Sequence, residues 1–80
     1  MRFEEIIEVF FDENRLERYD YDHSTLYEER YCIIGTLGKG LIIFVICLFS
    51  GNDTIRIISA RKASTKEREE YYGQDFFRRS

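Results

Sequence analysis

The sequence carries an arginine in the middle of an apolar β-strand pattern. Arg56 interrupts the isoleucines of residues 55–58, and Arg61 and Lys62 close the same segment. A positive charge on a partly buried strand is costly unless it has an ionic partner or binds an anionic ligand. The segment therefore indicates either a site for an anion, such as a phosphodiester, or a set of structural ion pairs.

The turns on either side of residues 41–49 predict which side chains lie beside Arg56. We pair Phe49 with Thr54 across a four-residue turn, and Leu37 with Gly40 across the glycine-containing turn before it. The resulting register puts three residues in one cross-strand row on one face of the sheet: Arg30, Cys47 and Arg56. Two guanidinium groups in one row favour a shared anion as the ligand.

Two features of this row stay open at the level of sequence. Strict alternation places Arg61 on the other face of the sheet, although a β-bulge could redirect it. Arg30 and Arg56 could also pair with nearby carboxylates and only stabilise the end of the sheet. The candidate carboxylates are Glu28, Glu29 and Asp53. Periodicity alone does not choose between an anion site and ion pairs.

The same register predicts two free cysteines. Cys32 and Cys47 would share a sheet face as diagonal neighbours about 7–8 Å apart at their Cα atoms, which is too far for an unstrained disulfide. We expect both thiols to be buried and to pack as small hydrophobic groups. The sequence has one histidine and no paired Cys or His spacing, so it supports no metal site, and no motif indicates a cofactor.

Length and composition predict a single folded domain over residues 1–80. Apolar residues make up 44% of the chain, proline is absent, and the longest apolar run is the nine residues at 41–49. A bilayer-spanning helix needs about 20 apolar residues, so we predict no membrane segment. The acidic N-terminus lacks the layout of a signal peptide, and we therefore expect a cytoplasmic protein.

The charge is unevenly distributed along the chain. Residues 1–30 hold ten acidic and four basic side chains, whereas residues 31–80 hold five acidic and eight basic. The basic C-terminal part suits a local anionic ligand rather than broad adhesion to nucleic acid. The alternative is that the charges only solvate opposite faces of the fold.

The hydrophobic pattern predicts a helix before a small antiparallel sheet. An amphipathic helix covers residues 3–11, and its early glutamates suit the positive end of its dipole. A polar loop is expected at residues 22–28. The expected strands are residues 15–21, at the sheet edge, 30–37, 41–49 and 54–62.

A second helix is predicted after the sheet. Ser64 and Glu67 form a capping box, which starts a helix from Thr65 to Tyr72 that stops at Gly73. Residues 74–80 stay unassigned. The order of elements gives an α+β fold in which helices cover a sheet of three or four antiparallel strands.

Three segments of the chain carry a family resemblance. They are residues 3–12, residues 28–35 and, most specifically, the sequence Arg-Ile-Ile-Ser-Ala-Arg at 56–61 with the helix pattern that follows it. Over residues 3–72 the chain resembles the BrnT family of type II toxins. The resemblance implies a RelE-like fold and a ribonuclease activity that arrests translation. It also implies a ribbon-helix-helix antitoxin, encoded beside the toxin, that binds it and represses their promoter, so that DNA is contacted only through the antitoxin.

The chain departs from the family at its start. The family usually begins with a further segment that contains a tryptophan and a lysine-histidine-glycine sequence near the first helix. This sequence has no tryptophan and starts directly at the helix. We therefore expect either a misassigned start site or a shortened member of the family, which would be weak or inactive if basic groups of that segment take part in cleavage.

Because the resemblance implies RNA cleavage, the basic side chains gain a chemical role. Attack by the RNA 2′-hydroxyl forms a phosphorane with extra negative charge, which arginines on a rigid sheet stabilise more than the ground state. We assign this role to Arg56 and Arg61, with Arg30 and Lys62 positioning phosphate. The candidates for proton transfer in this metal-independent reaction are His23, Glu29, Tyr71 and Tyr72. Both tyrosines fit packing at a helix end better, and the histidine fits a solvent-exposed loop.

Two other functions stay open. One is a shortened, non-catalytic module that binds the antitoxin and modulates promoter repression. The other is a plain RNA-binding domain, which fits less well because no strand combines exposed aromatic and basic residues. The nuclease requires an open surface at Arg56 and Arg61; if internal ion pairs hold both, only partner binding is left. Apolar surface beside a short first helix also favours self-association as a homodimer.

Overall fold

Four antiparallel strands between two helices form the fold. The computed structural model describes residues 1–38 and 40–79, with side chains described for residues 1–38 and 40–74. The strands are β1 (Leu16–Tyr19), β2 (Glu28–Thr36), β3 (Ile42–Ser50) and β4 (Thr54–Lys62), which lie in chain order across one sheet. Helix α1 (Phe3–Ile7) precedes the sheet and helix α2 (Thr65–Arg79) follows it. The predicted α+β fold is confirmed, with four strands.

The N-terminal helix is shorter than its amphipathic pattern predicts. α1 has five residues, and Glu8–Phe11 continues it as a 3-10 helix. A 3-10 helix has about 3.0 residues per turn instead of about 3.6, so the tightening rotates the last turn and directs Val9 towards the sheet. Val9 is fully buried, whereas Phe3 and Phe11 of the predicted apolar stripe are exposed.

The face of the sheet that lies under α1 holds the main hydrophobic core. We call it the α1 face; its buried residues are Ile33, Ile43, Val45 and Cys47, which pack against Ile6 and Val9. A Cβ atom on Gly35 of β2 would lie 2.7 Å from Cγ1 of Val9, closer than real side chains approach. Glycine at this position therefore lets the N-terminal segment lie directly on β2.

Helix α2 crosses the opposite face of the sheet. We call this the α2 face; Ile34, Ile42 and Tyr71 are buried there, with Leu16, Phe44 and Ala63 packed around them. The predicted capping box is confirmed, since the Glu67 amide donates to Ser64 Oγ at 3.2 Å and the Ser64 amide donates to Glu67 Oε1 at 2.8 Å. No helix among the described residues is both long and apolar enough to cross a membrane.

Helix α2 continues past Gly73, so the predicted stop at this residue is wrong. A glycine stop needs a positive φ angle, and among the described glycines only Gly38 and Gly40 have one. Glycine inside a helix costs about 1 kcal/mol relative to alanine, which does not end a helix by itself. Residues 74–79, which the sequence leaves unassigned, form the last turns of α2, and Ser80 lies outside the described residues.

Both predicted strand registers are wrong by one residue. β2 and β3 close with Thr36 opposite Ile42, and β3 and β4 close with Ser50 opposite Thr54. The first turn therefore spans five residues and the second spans three, where two and four were expected. Asp53 completes the second turn at φ 57°, the left-handed conformation that three-residue hairpin loops use.

The two register errors cancel at the arginines. Arg30 lies opposite Leu48, and Leu48 lies opposite Arg56. Since β2, β3 and β4 are adjacent, both arginines project from the α2 face on either side of this leucine. The predicted arginine row therefore exists, with Leu48 at its centre instead of Cys47.

The two cysteines lie on opposite faces, so the prediction of a shared face is wrong. Cys47 pairs with Tyr31 and is buried on the α1 face, whereas Cys32 pairs with Ile46 and is half-buried on the α2 face. A register shift of one residue moves every side chain to the other face. Both thiols are free, as predicted. Burial raises the pKa of Cys47 to about 11, so this thiol stays protonated at neutral pH.

A β-bulge in β4 decides which face Arg61 occupies. The pairing shifts by one residue between Ile46 and Cys47, which leaves Ile58 without a partner on β3. An unpaired residue reverses the alternation of the side chains that follow it. Arg61 therefore lies on the α2 face together with Arg56. Strict alternation fails here, and the β-bulge that the sequence left open is present.

Candidate functional site

The arginine row is open to solvent at one end of the α2 face. Arg30 and Arg56 are two strands apart, so their Cα atoms are separated by about 10 Å. The Arg56 side chain is 70% exposed, and its Nη2 lies 3.4 Å from Glu28 Oε2. A contact of that length at an exposed position holds a side chain only loosely. Arg56 is therefore accessible to an external anion.

The turn after β1 places an aspartate and the histidine beside Arg30. Asp20 Oδ2 lies 2.9 Å from His23 Nδ1 and 3.6 Å from Arg30 Nε. Ser24 fastens this turn to β2, because its Oγ donates to the Asp20 carbonyl at 2.7 Å and accepts from the Arg30 amide at 2.9 Å. The histidine side chain is 63% exposed, as predicted for the loop, but its ring is oriented by the aspartate.

Asp20 is the candidate site residue that the sequence reasoning missed. It lies directly after β1, and the His23 amide also donates to its Oδ1 at 3.3 Å. Aspartate at the start of a turn commonly accepts hydrogen bonds from groups a few residues later, so its position three residues before the histidine was the available signal. Because Asp20 contacts Nδ1, the other ring nitrogen, Nε2, is left to exchange a proton with a ligand.

Arg30 has the more enclosed of the two guanidinium groups in the row. Its side chain is 28% exposed. Its Nε atom is shielded from solvent and has no hydrogen-bond partner within the described part of the chain. An anion that reached the row would displace the loose Glu28 contact at Arg56, while Asp20 keeps its own hydrogen bonds. Arginine binds such an anion through two parallel N–H groups, the geometry that suits phosphate oxygens.

Arg61 is held by the protein itself. Its Nη1 and Nη2 donate to the two carboxylate oxygens of Glu67 at 2.7 and 2.9 Å, and its guanidinium carbon lies 4.3 Å from the centre of the Phe44 ring. The hydrogen bonds from Arg61 outweigh burial and, with the Ser64 amide, lower the pKa of Glu67 to about 2. The same carboxylate raises the pKa of Arg61. Arg61 is therefore committed to a bidentate internal ion pair.

This ion pair predicts a loss of stability in acid. The pKa of Glu67 is lowered from 4.5 to about 2, so the pair stabilises the fold fully above pH 4.5 and loses this contribution as the pH falls towards 2. We expect the free energy of unfolding of the wild type to fall more steeply across this window than that of Glu67→Gln. Solvent screening keeps the difference small, because the Arg61 side chain is 54% exposed. Urea unfolding at several pH values measures the two slopes, and equal slopes would contradict the pairing.

The other candidate residues lie away from the arginine row. Lys62 and Glu29 are on the α1 face, by their positions in the strand pairing. Tyr71 is buried, and its hydroxyl donates to Asp12 Oδ2 at 2.5 Å. Tyr72 is exposed on α2. Three of the residues singled out in the sequence lie along one end of the α2 face: Arg56, Arg30 and, through Asp20, His23.

The chain as a whole matches a known family. A family model described as "Ribonuclease toxin, BrnT, of type II toxin-antitoxin system" matches residues 1–67. This range includes α1, all four strands and the site residues between Asp20 and Arg61. A comparison with curated proteins finds no match. The chain therefore belongs to the BrnT family of ribonuclease toxins of type II toxin-antitoxin systems, and its partner is an antitoxin.

Proposed function

We propose that the chain is a metal-independent endoribonuclease with a RelE-like fold, which cleaves RNA and thereby arrests translation. The observation that supports this proposal best is the cross-strand row of Arg30 and Arg56, with the His23–Asp20 pair at its end. The row supplies positive charge for a phosphodiester, and the histidine supplies an imidazole that can transfer a proton.

The proposed reaction uses the RNA 2′-hydroxyl as the nucleophile. His23 Nε2 removes the hydroxyl proton, and the 2′-oxygen attacks the adjacent phosphorus. The bond from phosphorus to the 5′-oxygen then breaks, and the departing oxygen takes up a proton from solvent water. The products are a 2′,3′-cyclic phosphate and a 5′-hydroxyl end. Asp20 orients the imidazole and stabilises its protonated form, the role that a carboxylate plays beside a general base.

The arginines have unequal roles in this proposal. Arg56 is exposed and loosely paired, so its guanidinium group can move to stabilise the negative charge that develops on the phosphorane. Arg30 is more enclosed and positions the phosphate. Arg61 is about 13 Å along the sheet from Arg56, because their partners on β3 are four residues apart. It must first leave Glu67, so it suits a neighbouring phosphate of a longer RNA. Lys62 lies on the α1 face, so it would contact RNA only where the RNA passes around the end of β4.

The antitoxin partner is proposed to be a ribbon-helix-helix protein encoded beside the toxin. Such a protein carries the DNA-binding function itself, so this chain would reach promoter DNA only through the complex. The adjacent reading frame gives the first check, because it should encode a small ribbon-helix-helix protein. A neighbouring protein of another class that neutralises the chain would overturn this part of the proposal.

Cleavage of a defined RNA by the purified chain tests the proposed activity. We expect cleavage in the presence of EDTA, with 2′,3′-cyclic phosphate ends detected by mass spectrometry. A matched RNA with a 2′-deoxy sugar at the cleaved position should stay intact, because the nucleophile is missing. Cleavage of the deoxy control, or 5′-phosphate products, would overturn the mechanism.

Replacing His23 by glutamine should slow cleavage and change its pH profile. We expect a loss of about tenfold to a hundredfold, below the upper range for a general base because the side chain is 63% exposed and water can substitute for it. The part of the pH–rate profile that depends on the imidazole should disappear in His23→Gln. A Ser24→Ala variant, which loosens the turn but keeps the imidazole, should keep that part. An unchanged profile in His23→Gln would exclude the histidine as the base.

A non-catalytic module that binds the antitoxin is the second candidate function. The bidentate Arg61–Glu67 pair favours it, since one of the two arginines assigned to catalysis is already occupied. The exposure of Arg56 favours the nuclease, because the two arginines are not both held internally. Inducing the chain in cells separates the two functions: growth arrest with RNA breakdown supports the nuclease, and antitoxin binding without arrest supports the module.

A further inference from the structure

The α1 face carries an aromatic cluster beyond the hydrophobic core. The rings of Tyr19 and Tyr21 lie 4.6 Å apart, those of Tyr19 and Tyr31 lie 5.2 Å apart, and those of Tyr31 and Phe49 lie 4.9 Å apart, all edge to face. Such pairs form a stiff surface that loses little entropy when another protein binds it. The cluster is on the face opposite the arginine row.

A groove opens beside these rings. It has a volume of about 340 Å³, and its apolar wall consists of Phe10, Tyr31, Phe49 and Ile55. A smaller hollow of about 200 Å³ adjoins it and shares Phe49. Leu26 and Tyr27 line this smaller hollow, and their exposed fractions are 96% and 83%. Large apolar side chains exposed together around a groove are typical of a protein-binding surface.

The charges around the groove select the occupant. Three charged residues line it: Arg15, Glu17 and Glu29. Glu17 pairs with Arg15 at 2.8 Å, but Glu29 accepts only a 3.2 Å hydrogen bond from the Tyr31 hydroxyl and has no ion-pair partner among the described residues. An unpaired carboxylate beside an apolar groove attracts a cation and repels phosphate. RNA is therefore disfavoured at this surface, although the aromatic side chains of the groove could stack with bases.

A second copy of the chain is also disfavoured. In a symmetric dimer the same patch meets itself, so the Glu29 carboxylates of the two copies would approach each other. The surrounding region has the same sign, since residues 1–30 hold ten acidic and four basic side chains. An apolar segment that carries positive charge complements both the groove and its edge.

We propose that this groove is the docking surface for a basic, amphipathic segment of the antitoxin, in which an apolar side chain enters between Tyr31 and Ile55 and a lysine or arginine pairs with Glu29. The proposal rests on the family's possession of an antitoxin partner and not on RNA cleavage by this chain. It separates the two surfaces of the sheet: the α1 face binds protein, and the α2 face binds RNA.

Binding of the purified antitoxin, encoded beside the toxin, tests the proposal. Kd is measured by isothermal titration calorimetry for the wild type, Glu29→Lys and Ile55→Ser, with circular dichroism melting as the check on folding. We expect each variant to raise Kd at least about tenfold, with Glu29→Gln weaker in effect than Glu29→Lys. Glu69→Lys is the matched control, because it reverses an exposed charge on α2 and should change Kd less than about twofold.

The other occupants give different results in the same variants. Unchanged Kd in Glu29→Lys and Ile55→Ser would overturn the proposal. Slower RNA cleavage by Ile55→Ser without antitoxin would identify RNA as the occupant. A dimer that forms in the wild type and is lost in Ile55→Ser, measured by analytical ultracentrifugation, would identify a second copy. Either result would overturn the proposal. The measurement of Kd does not require nuclease activity, so a chain that fails to cleave RNA still tests this inference.

Discussion

Arg56→Ala is expected to lower the rate of RNA cleavage by about 100- to 1,000-fold, the cost of removing one preorganised group that stabilises charge in a transition state. The Arg56 side chain is 70% exposed, and its one ion pair among the described residues is the 3.4 Å contact with Glu28. Its removal should therefore leave the free energy of unfolding nearly unchanged. Cleavage of a fluorescent RNA under single-turnover conditions measures the rate.

Two further variants make the test of Arg56 specific. Arg56→Lys keeps the charge but loses the bidentate geometry, so its rate should fall between those of the wild type and Arg56→Ala. Arg68→Ala removes an exposed cation of α2 that lies outside the arginine row, and its rate should match the wild type. Equal loss in Arg56→Ala and Arg68→Ala would mean that net charge, and not the row, supports cleavage.

Asp12→Ala is expected to lower the free energy of unfolding by about 2–4 kcal/mol, because it removes a carboxylate that accepts three hydrogen bonds, two of them partly buried. The carboxylate accepts from the Asn14 amide at 2.9 Å, the Thr36 amide at 3.0 Å and the Tyr71 hydroxyl at 2.5 Å. It therefore joins the end of the N-terminal segment to β2 and to α2. Urea unfolding followed by circular dichroism measures the loss.

Neighbouring variants separate this network from a general effect of charge. Tyr71→Phe removes one of the three hydrogen bonds and should cost less than Asp12→Ala, while Glu13→Ala changes an exposed carboxylate and should cost almost nothing. Burial raises the pKa of Asp12, but the hydrogen bonds from Tyr71, Thr36 and Asn14 together keep it below 3.8. The contribution of Asp12 is thus present above pH 3.8 and is lost as the pH falls further. A similar loss in Glu13→Ala would contradict the network.

The sequence predicted the elements well because their signals are local. The apolar run at 41–49, the turn residues after it and the capping box at Ser64 each depend on a few neighbouring residues, and the structure confirms an α+β fold with these elements. The arginine row was also predicted, but partly because two register errors cancelled. The length of each turn is set by the contacts of whole strands, which the composition of the turn does not determine.

The parts of the site that could not be predicted depend on tertiary packing. An alternating pattern cannot reveal an unpaired residue, so the position of Arg61 followed only from the bulge at Ile58. The pairing of Arg61 with Glu67 joins the end of a strand to the first turn of a helix and needs both to be placed in space. The position of Asp20 depends on the hydrogen bonds of Ser24, which join the turn after β1 to β2.

The unpaired isoleucine of β4 determines on which face the end of the strand places its side chains. If Ile58 instead took a partner on β3 in a regular ladder, Ser59 and Arg61 would move to the side of the sheet that α1 occupies. Glu67 and Phe44 would then lose their cation without any change in a charged residue. Deleting Ile58 would have no such effect, because the residues after it would keep their partners on β3. One residue outside the ladder thus sets which surface of this toxin carries the positive charge of Arg61.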